Sequence, residues 1–84
     1  MSAVREARTK LYLTYPKALV REPLLYRLAR KFECEFNIRG ASVTEDLGII
    51  AIELDGPEDV VERAIIWLRE RGVTVEPIEK NVIE

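Results

Sequence analysis

An α+β sandwich in the order β-α-β-β-α-β, four antiparallel strands with two helices on one face, is the fold class that this sequence predicts. Three observations carry the prediction. Two segments repeat apolar residues at helical spacing, four others repeat them every second residue, and Pro or Gly marks the junctions between them. The 84 residues suffice for one small domain.

Residues 1–8 show no pattern and are expected to form a flexible polar arm. From Thr9 the chain alternates, with Leu11, Leu13 and Tyr15 on one side and Lys10, Tyr12 and Thr14 on the other. That is a half-buried strand. Pro16 ends it, and "KALVRE" reads as a loop. Pro23 is expected in the first turn of a helix, where a missing N–H is tolerated. Leu25, Leu28, Ala29 and Phe32 then form one stripe, while Arg30 and Lys31 place cations at the helix end that favours them.

The second strand is read from Cys34 to Ala41, with Cys34, Phe36 and Ile38 inward. "VTEDLG" turns into a third strand, "IIAIEL", whose inward row is Ile50, Ile52 and Leu54. "DGPED" opens the second helix, with Asp55 or Gly56 expected as its cap and Pro57 in its first turn. Val61, Ala64, Ile65 and Leu68 make its buried stripe, widened by Val60 and Trp67, and Gly72 stops it. "VTVEPI" is the last strand, with Val73 and Val75 on one face. The domain is thus expected to span 9–79, with 80–84 a tail. Two β-α-β halves of this kind predict the ferredoxin-like sandwich.

Composition excludes several functions. A net charge of -2 is a poor match to nucleic acid, whose phosphates call for clustered Lys and Arg. With no histidine and one cysteine, Ser-His-Asp and Cys-His catalysis, zinc sites and iron–sulfur ligation within one chain are ruled out. No enzyme activity, cofactor or metal is therefore expected. The single cysteine allows no internal disulfide, which fits a reducing cytoplasm. "MSAVREAR" has no apolar core for a signal peptide, and no apolar run reaches the ~20 residues needed for membrane insertion.

Function must then sit on the sheet face without helices. Strand parity puts Tyr12, Thr14, Glu35, Asn37, Arg39, Ile49, Ala51, Glu53, Thr74 and Glu76 there. For Ile38 to share a face with Ile52, paired residue numbers in the hairpin must sum to an even value near 90. Asn37 then stands opposite or diagonal to Glu53, with Arg39 close to Ala51 and Glu53. Arg39 either pairs with Glu53 or meets a carboxylate outside the domain. Asparagine is a poor strand former, so an amide at position 37 fits recognition of an amino acid or a bond across the sheet. Tyr12, Ile49 and Ala51 are apolar enough to predict cover by a second copy.

From Lys10 to Ile78 the chain resembles the NIL domain, a family named for an Asn-Ile-Leu trio in its second strand. The matching pieces are Pro23, "FNI" at 36–38, Gly48, "ELDGPED" and "AIIWLRERGVTVEPI". The resemblance implies a regulatory module of the kind found at the C-terminus of methionine-import ABC transporter ATPases. There, paired domains bind methionine and inhibit transport; the family also occurs alone or beside ferredoxin domains. Asn37 matches the asparagine of the trio, whereas Arg39 stands where the family has leucine.

The expected function is a stand-alone, non-catalytic regulatory module. It binds methionine or a related amino acid at a homodimer interface through Asn37, Arg39 and Glu53. The alternative is an accessory subunit in sulfur assimilation or methionine and homocysteine synthesis, docking on a separate transporter or iron–sulfur protein. A sulfur-carrier role for Cys34 conflicts with its inward parity. An acylphosphatase lacks its Gly-rich phosphate loop, and an RRM-type sheet lacks aromatics where Ile49 and Ala51 stand.

Overall fold

The computed structural model describes residues 5–83, with side chains described for 5–78. The chain forms β1 (Glu6–Pro16), a short 3-10 turn (Lys17–Leu19), α1 (Leu24–Lys31), β2 (Glu35–Val43), β3 (Leu47–Pro57), α2 (Glu58–Arg71) and β4 (Thr74–Ile83). The sheet order is β2-β3-β1-β4, every pairing antiparallel, which is the ferredoxin-like arrangement. Both inner strands, β1 and β3, are eleven residues long.

One face of these strands holds the core. Leu11 and Leu13 of β1, Ile52 and Leu54 of β3 and Val75 of β4 are buried against Leu24 and Leu28 of α1 and Val61, Ala64 and Leu68 of α2. Each Leu, Ile or Val among them contributes about 1.5–3 kcal/mol when fully buried. Phe32 and Trp67 meet edge to face with ring centres 6.1 Å apart, joining the ends of the two helices.

The helices differ in reach. α2 has fourteen residues and α1 only eight. α1 is too short to roof the whole of β2. Ile38, which pairs with the fully buried Ile52 as parity requires, is therefore 51% exposed instead of lying in the core. Ala29 is exposed too, and Leu24 takes its place in the buried stripe.

Element ends also differ from the sequence reading. β1 begins at Glu6, so 6–8 belong to the sheet and not to an arm; residues 1–4 lie outside the described residues. β4 pairs with β1 as far as Ile83, so 80–83 continue the sheet, and Glu84 lies outside the described residues. The cap position of α2 is Pro57, not Asp55 or Gly56, and Glu58 and Asp59 occupy the first turn near the positive end of its dipole. Gly56 has a different task. A Cβ there would stand 3.0 Å from Cys34 Cβ and 3.3 Å from Cys34 Cα, so a larger residue would press on the start of β2 and require it to shift. Gly72 ends α2 with φ 104°, and Val73 N–H donates to the Leu68 carbonyl at 3.1 Å.

Candidate ligand and interface face

The register arranges the open face in rows that cross β1, β3 and β2. Arg8, Asp55 and Glu35 form the first row, and Lys10, Glu53 and Asn37 the second. Tyr12, Ala51 and Gly40 form the third, and Thr14, Ile49 and Ser42 the fourth. Five of the six residues in the first two rows are charged, and none in the other two is. The six residues singled out from the sequence therefore sort themselves along the strands, with Asn37, Arg39 and Glu53 towards one end and Tyr12, Ala51 and Ile49 towards the other.

The boundary between the halves is a β-bulge. Pairing sums to 90 from Phe36↔Leu54 through Ile38↔Ile52, then to 91 from Gly40↔Ala51 onward. Arg39 is the extra residue, left without a partner in the ladder. Strict alternation, which places Arg39 in one row with Glu35 and Asn37, fails at that point. The bulge re-aims the guanidinium so that Arg39 Nη1 lies 4.0 Å from Glu53 Oε2. At that length, with the Arg39 side chain 53% exposed, the pair contributes about 0–1 kcal/mol and leaves most of the guanidinium's donors unused. Glu53 is the better enclosed partner, its side chain 15% exposed between the two neighbouring strands.

Asn37 sits directly opposite Glu53. Its side chain is exposed and has no hydrogen-bond partner among the described residues. Glu35, Phe36, Asn37, Glu53 and Asp55 together line a shallow hollow of about 280 Å³. Arg8 Nε, 3.5 Å from Asp55 Oδ1, offsets part of the negative charge. Such a hollow presents carboxylates to a cation, an amide able both to donate and to accept, and Arg39 at its margin as a fork for an anion. The sequence marks Asp55 only as a helix cap. Its place in the first row is hidden there because β3 runs three residues past "IIAIEL", to Pro57.

Tyr12 and Ile49, both exposed, and the half-buried Ala51 make the apolar half continuous with this hollow. Opposite Ala51, Gly40 brings no side chain, and none of the described residues lies within 4 Å of where its Cβ would be. The apolar half is thus a low step beside Tyr12.

Cys34 stands at the start of β2, half-buried against Gly56. Burial pushes its thiol pKa up, away from the thiolate that a sulfur carrier needs. Among the described residues no group of three or more Asp, Glu, Cys or His side chains is placed to hold a metal ion, and no helix is long and apolar enough to cross a membrane.

Comparison with known proteins gives a consistent result. The NIL domain model matches residues 9–77. The methionine import ATP-binding protein MetN of Halalkalibacterium halodurans is 31% identical over 70 residues, covering 79% of this chain and 21% of that protein. The protein of the same name from Geobacillus kaustophilus is 29% identical over 70 residues, covering 79% of this chain and 20% of its own length. The chain thus spans about a fifth of these relatives. Among solved structures, the C-terminal domain of an ABC transporter ATP-binding protein from Enterococcus faecalis superposes with a TM-score of 0.73 at 22% identity. That match covers 83% of this chain and 82% of the other, and shows a shared fold.

Proposed function

This chain belongs to the NIL domain family, and on that premise we propose that it is a cytoplasmic, non-catalytic regulatory module that binds methionine or a close relative. The ligand occupies the polar half of the open face, and a second copy covers the apolar half. The observation that carries this reading is the free amide of Asn37 directly opposite Glu53, with Arg39 only loosely held beside them. An α-amino acid offers one ammonium and one carboxylate. Glu53 is suited to the first and Arg39, turning away from its 4.0 Å contact, to the second. The Asn37 amide donates to the carboxylate or accepts from the ammonium.

The names of the similar proteins, methionine import ATP-binding proteins, support methionine as the first ligand to test. Regulation follows by linkage. A ligand that contacts one arrangement of two copies better than another shifts the population towards it, and any attached or docked transporter ATPase responds to that shift.

Calorimetric titration of the native protein with L-methionine tests the reading. Saturable heat is expected, weakened at least tenfold in Asn37→Ala while the thermal midpoint stays unchanged. A flat titration of the folded native protein, or full binding by Asn37→Ala, overturns the assignment.

A further inference from the structure

Gly40 is a residue of β2 that the fold leaves unexplained. It stands inside the strand, opposite Ala51, in the third row of the open face. Glycine weakens a strand, because it loses more freedom on folding and brings nothing to pack. The usual structural reasons for accepting that loss are missing here. Its φ lies outside the left-handed region. The bulge at Arg39 therefore does not need it, since the bulge type that calls for glycine holds it in that region. None of the described residues lies within 4 Å of where its Cβ would stand, so a side chain there would meet open space. One reason remains: a glycine inside a strand also marks a place where a ligand or another backbone approaches closely.

The neighbouring rows favour a ligand. On one side of the Asn37–Glu53 hollow lies the first row, Arg8, Asp55 and Glu35, where hydrocarbon would strip water from charged groups. On the other side lies the third row, which carries no charge. There the surface rises no higher than the Ala51 methyl until it meets Tyr12, whose ring is half exposed. Two residues of strand rise separate the second row from the third, about 7 Å, a gap that an unbranched side chain of about four heavy atoms spans and a methyl does not.

On the reading of the hollow as an amino-acid site, which this inference rests on, we infer that Gly40 determines side-chain specificity. The ligand class is an α-amino acid with a long, unbranched apolar side chain. Its ammonium and carboxylate stay in the second row, and its side chain crosses Gly40 and Ala51 towards Tyr12.

Amide chemical-shift titration of the full chain with L-methionine, L-norleucine and L-alanine tests this. All three are expected to perturb the amides of Asn37 and Glu53. Only the two long ligands should also perturb Gly40 and Ala51, and they should bind about tenfold tighter than alanine, as for hydrocarbon entering an apolar site. Gly40→Val puts a good strand former into open space, so it should fold with a thermal midpoint no lower than the native one. It should weaken methionine and norleucine about tenfold and leave alanine within about twofold. Gly40→Ala, a smaller step, should give the same split at about threefold, the worth of one methyl group.

No response to any of the three ligands overturns the amino-acid reading, and this inference with it. Binding of all three with no loss in Gly40→Val, or with equal losses, overturns this inference alone. So does a loss confined to self-association, measured by sedimentation without amino acid, which would assign the glycine to contact between copies.

Discussion

The two faces of one sheet are made by the same backbone and have opposite characters. Beneath the helices, Leu11, Leu13, Ile52 and Leu54 are wholly buried, and each is held by contacts from several elements. On the outer side, one residue along each strand, Lys10, Tyr12, Glu53 and Asn37 meet mainly their cross-strand neighbours. The first face sets what the chain folds into. The second is released from that duty, so its side chains can be chosen for recognition. The difference shows where a substitution should alter stability and where it should alter only binding.

The Ile38–Ile52 pair separates the two regimes within a single rung. Ile52→Ala should destabilise by about 3 kcal/mol, as for a fully buried aliphatic side chain. Ile38→Ala, with half its surface already in water, should cost about 1 kcal/mol or less. Urea unfolding of both variants checks this, and equal losses would break the contrast between covered and uncovered ends of β2.

Alkaline titration sharpens the contrast from the covered side. Burial raises the Tyr15 pKa from 10.0 to about 12 in the folded protein. The unfolded chain releases that proton first, so stability is intact below pH 10 and falls as pH rises from 10 towards 12. The expected loss reaches about 2 kcal/mol, since a tenfold difference in proton affinity between the folded and unfolded chain is worth about 1.4 kcal/mol. Tyr15→Phe should flatten that limb of the profile, as measured by thermal unfolding at stepped pH.

The smallest effect is expected on the open side. Arg39→Ala removes a contact of 4.0 Å between partly solvated groups and should change unfolding free energy by about 0.5 kcal/mol or less. Its consequence belongs in the methionine titration instead. A large loss of stability in Arg39→Ala would mean that the bulge residue holds the hairpin together.

Strand parity makes much of this face legible. The even pairing sum sets Asn37 opposite or diagonal to Glu53, the observed register makes it opposite, and the two apolar stripes place the helices. Three features escape it. Arg39 occupies a bulge, and the sequence carries Gly40 beside it without any break in alternation that would expose the extra residue. The first rung of β1 is hidden because Glu6, Ala7 and Arg8 alternate with only an alanine as the inward member. The packing of Gly56 against Cys34 joins two segments some twenty residues apart, and no local period records such a contact.

The irregular borders of the sheet bear on strand addition at its edges. β2 is interrupted at Arg39, and β4 carries Pro77, which has no amide proton, next to a second shift of register. Neither rim therefore offers a long uniform run of amides on which another molecule's strand could zip. Edge-to-edge growth into ribbons is discouraged from both sides.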